Sequence, residues 1–314
     1  MQIIWNVNTL PPSTTSVVSL GTFDGVHLGH QTILDEVKKR AHKLHSKATM
    51  VTFEPHPQLV LNNPSRPPHE VLTTIEEKIE ILNQLGLDRL VVANFSHIFA
   101  GLEPERFVTE ILLERLRMRE IIIGHDHAFG KARSGNLDLL QRMGAEHGFE
   151  VASLPPYRVD DEVISSTRIR HQLQKGQMEK ASAMLGRPYS INGLVVHGEG
   201  RGTGLGFPTV NLRPYSPHKL VPRSGIYASR CHLDGRSYDA ATYVGLKPTF
   251  AADERVIETY IIDFNGQLYG QEVKIDFIAY IREDARFDST QALVDQIKQD
   301  INKSVELLAS HSSY

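Results

Sequence analysis

The sequence predicts two domains: an α/β domain built on a parallel sheet, then a small antiparallel β-barrel closed by a C-terminal helix. Three observations carry this. In the first half, short β-branched runs alternate with helical segments, the order that a parallel sheet with covered faces requires. From Ser190 onward, strand candidates follow one another without long helices between them, and several alternate in polarity. The chain has 314 residues, long for a single core. The change of character at Gly186-Arg187-Pro188-Tyr189 places the expected boundary there, giving domains 1–186 and 187–314.

Hydrophobic and charged fractions of 40% and 23% are ordinary for a globular protein. A formal charge of -3 gives no electrostatic case for nucleic acid or membrane as partner. A lone cysteine, Cys231, excludes an internal disulfide framework and fits a reducing compartment. Met1–Asn6 shows no basic region leading into an apolar run, and no apolar stretch is long enough for a bilayer, so the expected location is cytoplasmic.

Val17-Val18-Ser19-Leu20 reads as a buried strand, and Ile33, Leu34, Val37, Ala41 and Leu44 recur at helical spacing soon after. Between them runs Gly21-Thr22-Phe23-Asp24-Gly25-Val26-His27-Leu28-Gly29-His30. The segment is thus strand, glycine-punctuated turn, helix start. A helix start offers unpaired N–H groups and a positive dipole end to an anion. His27 and His30, three residues apart, can share one side of that turn. The chemistry is a phosphate cradle with two imidazole donors; the plain alternative is a turn with two solvated histidines. No Gly-Lys-Ser/Thr follows, so it is not a P-loop, and no G-x-G-x-x-G is present.

Further along, Thr49–Phe53 is a strand ended by Glu54-Pro55-His56-Pro57, whose prolines forbid helix and inner strand. A helix carries Ile75, Ile79, Leu82 and Leu85 and stops at Gly86. Residues 89–95 form a strand, a helix begins near Pro104 with Phe107, Ile111 and Leu112 on its apolar face, and 120–124 form another strand. Leu137, Leu139, Leu140 and Met143 mark a helix, and 151–154 the fifth strand of this half. In Ile164-Ser165-Ser166-Thr167-Arg168-Ile169-Arg170, a hydroxyl can cap the following helix and the arginines supply cations. Fifteen histidines raise a metal reading through His27, His30, His125 and His127, but no His-Glu-x-x-His and no cysteine pair supports it.

In the second half, Gly176 and Gly186 punctuate two short helical stretches. Strand candidates are 191–197, 225–231, 238–244, 257–264 and 273–281, and a final helix entered at Asp288 or Ser289 carries Leu293, Ile297, Ile301, Val305 and Leu308. In Gly198-Glu199-Gly200-Arg201-Gly202-Thr203-Gly204-Leu205-Gly206, glycine at every second position gives a pliable loop able to lie against phosphates, followed by Phe207-Pro208-Thr209-Val210-Asn211. No helical pattern begins there.

The run G-T-F-D-G-V-H-x-G-H, with T-F-E-P-H-P and I-S-S-T-x-I-R, resembles the adenylyltransferase half of bacterial bifunctional riboflavin kinase/FAD synthetases, a Rossmann-like nucleotidyltransferase domain. The run G-x-G-L-G-F-P-T-x-N, with Gly245-Leu246-Lys247-Pro248-Thr249-Phe250 and Leu268-Tyr269-Gly270, resembles riboflavin kinase. The resemblance implies conversion of riboflavin to FMN in the second domain and of FMN to FAD in the first, with ATP as co-substrate and Mg2+ as cofactor. It implies that His27 and His30 stabilise phosphate charge, with Gly21, Phe23, Gly25, Ser165, Ser166, Thr167 and Arg170 around the ATP. It places Asp126, Phe129 and Arg133 beside the flavin; His127 departs from the family's usual aromatic. In the second domain it implies Gly202, Gly204 and Gly206 against ATP, Thr209 and Asn211 holding metal and nucleotide, and Glu258 as the base for the riboflavin 5′-hydroxyl. Other readings are a single active domain with its neighbour binding flavin, and a flavin-sensing regulator that binds nucleic acid, which the charge disfavours.

Overall fold

The computed structural model describes residues 1–5, 14–62, 68–125, 128–131, 134–198, 201–248 and 253–311. The chain divides into two compact units, Met1–Ser165 and Ser166–Tyr314.

The first unit runs β1 (Gln2–Ile4), β2 (Ser16–Leu20), α1 (Leu28–Lys43), β3 (Lys47–Glu54), α2 (Pro57–Val60), α3 (Ile75–Gln84), β4 (Arg89–Asn94) and α4 (His97–Ala100). It continues through α5 (Pro104–Arg106), β5 (Met118–Gly124), α6 (Leu137–His147), β6 (Glu150–Leu154) and the small hairpin β7 (Arg158–Val159), β8 (Glu162–Val163). The main sheet has the order β1-β4-β3-β2-β5-β6 with every pair parallel. β1 forms one edge; from the central β2 the chain passes through β3 to β4, beside β1, then crosses to the other side of β2 with β5 and β6. In such sheets, ligands settle outside the strand ends at that crossing.

Strand residues alternate between two cores. Val17, Met50, Leu90, Val92 and Ile122 meet Leu34, Val37, Ala41 and Leu82 of α1 and α3. Val18, Leu20, Val51, Val91 and Ile121 meet Phe107, Leu112, Leu140 and Met143 on the opposite face. This is the two-faced burial that makes parallel strands apolar throughout.

Several features of this unit differ from the sequence expectation: Pro57, expected to forbid helix, opens α2 at the first helical position, where its ring fits, and nothing in the pattern announces α4 or the β7–β8 hairpin. The three-residue edge strand β1 is too short to leave a pattern. The helix near Pro104 is one α turn that widens into a π-helix over Phe107–Arg115. The wider turn brings Val108, Leu112 and Leu116 inward at steps of four, all at 0% exposure.

The second unit opens with α7 (Ser166–Gln174) and α8 (Met178–Leu185), punctuated as expected by Gly176 and Gly186 at φ of 73° and 72°. Then come β9 (Tyr189–Val196), α9 (Arg201–Gly204), β10 (Val210–Pro214), β11 (Gly225–Leu233), β12 (Arg236–Pro248), β13 (Asp253–Ile261), β14 (Glu272–Arg282) and α10 (Thr290–Ser310). The strands close a barrel in the order β10-β13-β12-β11-β14-β9, all antiparallel. Inside it, Ser229, Thr242 and Thr259 link through hydroxyls at 2.7 and 2.9 Å, which satisfies groups that burial would otherwise penalise. Ser289 caps α10 by accepting the Ala292 N–H at 3.1 Å.

Helix α10 is fastened by Leu308 against Ala228, Ile278 and Ala279, and by a two-bond fork from Arg282 to Asp300 at 2.8 and 2.6 Å. Asp300 is buried and Arg282 partly so, so removing the carboxylate strands a guanidinium. Asp300→Ala should lower stability by about 2 kcal/mol, discounted for the exposed part of the pair, with Asp300→Asn losing less. Urea unfolding followed by circular dichroism measures this.

Cys231 lies at 0% exposure on β11, and burial pushes its thiol up to about 12. The folded protein therefore keeps the neutral thiol, whereas the unfolded chain ionises near its ordinary value. Stability from this group is complete below about pH 9 and is lost as pH rises from there toward 12. Iodoacetamide at pH 8 should leave the native protein unlabelled and add one group per chain after denaturation.

Candidate functional site

The chain leaves β2 in a tight turn and enters α1 with His27 at the cap position. Three consecutive corners lie in the left-handed region: Phe23 at φ 46°, Gly25 at 84° and Val26 at 39°. For glycine this is free; for a β-branched valine it costs about 1–3 kcal/mol, and such strain gathers where a ligand is held. Phe23 and Val26 are buried, which holds the strained backbone in place. The first turn of α1 contains no acidic residue, so nothing offsets its positive end.

The imidazoles of His27 and His30 stack at 3.6 Å with planes 18° apart, and Phe23 meets His30 edge-on at 5.3 Å. The two rings share one side of the turn. His27 is more enclosed than an open cradle suggests, at 6% exposure, while His30 is half-buried. Gly29 makes this possible, because a Cβ there would lie 3.2 Å from the His27 ring. At Gly21 a Cβ would meet the Phe23 ring at 3.3 Å.

The turn is gripped from the segment before α3. Asp24 Oδ1 accepts the amides of Leu72 and Thr73 at 2.8 and 3.1 Å, and the Gly25 N–H donates to Thr73 Oγ1 at 3.0 Å. Lys78 Nζ donates to the Thr22 carbonyl at 2.7 Å and to Thr52 Oγ1 at 3.0 Å. The sequence pattern marked this helix only by Ile75, Ile79, Leu82 and Leu85; the Thr74–Glu77 capping box was the available sign of a fixed terminus.

One group could hold a metal ion among the described residues. Asp24, His56 and His69 bring ligand atoms within 4.8 Å of one another, and the two rings stack at 4.6 Å. His56 Nδ1, however, accepts the Gln58 N–H at 3.2 Å, which places the ring proton on Nε2. While that cap is kept, neither nitrogen of His56 offers a lone pair to an ion. Of the histidines first considered as ligands, His27, His30 and His125 are not part of it, and His127 lies outside the described residues.

Of the residues expected beside the flavin, Asp126 and Arg133 lie outside the described residues, as does His127. Phe129 is described and sits in the core at 7% exposure, 5.9 Å from Phe107. Phe129 and Gly135 exchange two backbone hydrogen bonds at 2.9 Å, and a Cβ at Gly135 would strike the Phe129 ring at 2.8 Å. The ring is therefore first of all a core residue that pins this loop. Ser165 ends the first unit; Ser166, Thr167 and Arg170 open the second, on α7.

In the second unit the barrel closure sets Asn211 of β10 directly opposite Glu258 of β13. Opposed residues on antiparallel strands stand about 5 Å apart at Cβ. Gly198 and Gly202 bring the glycine segment onto the same corner. A Cβ at Gly198 would lie 2.1 Å from the Asn211 amide nitrogen, and one at Gly202 3.2 Å from Thr209 Oγ1. Gly204 and Gly206 meet nothing within 4 Å, and Gly206 turns at φ 86°. The segment is less loose than expected: 201–204 form one helical turn, closed by the Phe207 N–H on the Gly202 carbonyl at 2.8 Å. Gly198→Ala should push the Asn211 amide off its position, and the shift of its side-chain amide resonances in NMR checks it.

Sequence reading missed three neighbours. Tyr243 of β12 pairs in register with Glu258, donates to Asp284 at 2.9 Å and has its hydroxyl pushed up to about 12 by burial. Tyr260 meets Phe207 edge-on at 5.7 Å, and Tyr269 stacks on His197 at 3.9 Å. Only Leu268-Tyr269-Gly270 carried a signal.

A strained, anion-suited turn at a sheet crossing, followed in sequence by a barrel with its own polar corner, places the chain in the class of two-site enzymes that handle nucleotides. The family models agree in order: FAD synthetase matches residues 11–168 and riboflavin kinase matches 185–308. The chain belongs to the family of bifunctional riboflavin kinases/FMN adenylyltransferases. It is 35% identical to the Listeria monocytogenes member over 285 residues, covering 90% of each chain. Against the Escherichia coli K12 member it is 32% identical, covering 96% of each. A solved structure from Streptococcus pneumoniae, described as a macrolide-efflux protein, superposes with TM-score 0.86 at 31% identity over 96% of this chain and 97% of that one. No helix among the described residues of this chain is long and apolar enough to cross a membrane.

Proposed function

We propose that this chain phosphorylates riboflavin to FMN in its second domain and joins FMN to the AMP part of ATP in its first, releasing pyrophosphate and giving FAD. The observation that carries the reading is the presence in one chain of the paired His27 and His30 inside the FAD synthetase match and of Asn211 opposite Glu258 inside the riboflavin kinase match. The working division is 1–186 for adenylyl transfer and 187–314 for the kinase, in a cytoplasmic protein.

In the first domain the FMN phosphate attacks the α-phosphorus of ATP, and pyrophosphate leaves. His27, His30 and the start of α1 stabilise the charge on the phosphates, so catalysis is placement and electrostatics without a covalent intermediate. Gly21, Phe23 and Gly25 shape the turn, Ser165, Ser166, Thr167 and Arg170 contribute hydroxyls and a cation to the phosphates, and Asp126, Phe129 and Arg133 are assigned to flavin binding.

In the second domain Glu258 takes the proton of the riboflavin 5′-hydroxyl as that oxygen attacks the γ-phosphorus. Gly202, Gly204 and Gly206 lie along the triphosphate. The Thr209 hydroxyl and Asn211 amide are hard oxygen donors beside a carboxylate, on a corner kept open by Gly198 and Gly202, and this donor set suits Mg2+. When bound, Mg2+ neutralises phosphate charge.

Incubating the protein with riboflavin, ATP and Mg2+ and resolving the products by chromatography tests the reading. FMN followed by FAD is the expected result. FMN alone would leave the first domain without this activity, and neither product would remove the proposal.

A further inference from the structure

A buried ammonium lies behind the turn of the first unit. Lys78, on α3, is 3% exposed. Its Nζ and Thr52 Oγ1 converge on the Thr22 carbonyl, at 2.7 and 3.1 Å, and bond each other at 3.0 Å. With Leu72 and Thr73 on Asp24 and Gly25, the short segment 72–78 grips the turn at Thr22, Asp24 and Gly25.

A neutral donor could make the same hydrogen bonds, so the charge needs its own reason. A buried cation is costly unless an ion of opposite sign touches it. Among the described residues no contact ion pair involves Lys78; Asp24 and Glu54 attract it only at longer range. Burial holds its ammonium below the usual lysine range, and the attraction of Asp24 and Glu54 works against that without a contact pair.

We propose that Lys78 is a positioning residue of the ATP site: it fixes the Thr22 carbonyl and presents, behind the turn, a positive charge whose counterion is the bound triphosphate. This rests on the reading of the first domain as the adenylyltransferase. The role is distinct from those of His27 and His30, because Lys78 acts through the loop and through space.

The test is FAD formation from FMN and ATP, which bypasses the kinase, measured across ATP and salt concentrations. Lys78→Met removes the charge and keeps the bulk. It should raise the KM for ATP by about tenfold or more, the scale of one unit charge acting through a protein interior, and flatten its dependence on salt. Its kcat should stay within about threefold, and FMN formation from riboflavin should be unchanged. Thr52→Val removes two hydrogen bonds, to the Thr22 carbonyl and from Lys78, but keeps the charge, and should leave the ATP KM within about twofold.

An unchanged ATP KM in Lys78→Met, or an equal rise in Thr52→Val, would overturn the inference. Should Lys78→Met fail to fold by circular dichroism, Lys78→Arg decides. Retained ATP KM and salt dependence support the charge role, and a rise of about tenfold in that variant overturns it. Absence of FAD from the wild type would instead remove the reading on which the inference rests.

Discussion

Replacing His27 or His30 with Ala should lower FAD formation from FMN and ATP by about 10²–10³-fold, the usual loss when one preorganised donor to a developing charge is removed. FMN formation from riboflavin by the same protein should stay within about twofold, since the barrel carries its own residue set. The two variants are not equivalent. His27 is buried and stacks on His30 at 3.6 Å, and Gly29 is shaped to its ring, so His27→Ala also opens a gap beneath the turn. His30 is half-buried, so His30→Ala reports charge stabilisation more cleanly. Separate assays of riboflavin phosphorylation and FMN adenylylation measure both effects.

The second large effect is at Glu258. Glu258→Gln keeps shape and removes the proton acceptor, and should slow riboflavin phosphorylation by about 10²–10⁴-fold, the range for general-base catalysis. FAD formation from added FMN should be unaffected. The barrel itself should survive, because Glu258 lies opposite Asn211 and Tyr243 on strands whose pairing is made by backbone bonds. A collapse of both activities in a folded Glu258→Gln protein would mean that the two reactions share one site.

How much of this was legible in the sequence depended on range. The turn between β2 and α1 was readable because its signals are local: a β-branched run, glycines, then apolar residues at helical spacing. Its strain was not, since Phe23 and Val26 are residue types that avoid positive φ and are forced there by surrounding packing. Strand β10 went unseen: Val210-Asn211-Leu212-Arg213-Pro214 is short and ends in proline, and becomes a strand only because β9 and β13 flank it. That closure sets Asn211 against Glu258, a partnership across 47 positions that no local pattern announces. Lys78 carries no signal of its own in the sequence, and only the tertiary fold reveals it as buried. The helical turn at 201–204 was hidden by its glycines, which disfavour helix until tertiary bonds such as Phe207 to Gly202 close it.

The central claim is that two independent sites share this chain, and mixing two crippled proteins tests it most directly. His30→Ala and Glu258→Gln, each unable to make FAD from riboflavin alone, are combined with riboflavin, ATP and Mg2+. The account predicts that FAD appears, because FMN released by the first variant is adenylylated by the second. FMN accumulating without FAD in that mixture, while Glu258→Gln still converts added FMN, would contradict release between the sites. No product from either variant with its own intermediate supplied would contradict their independence.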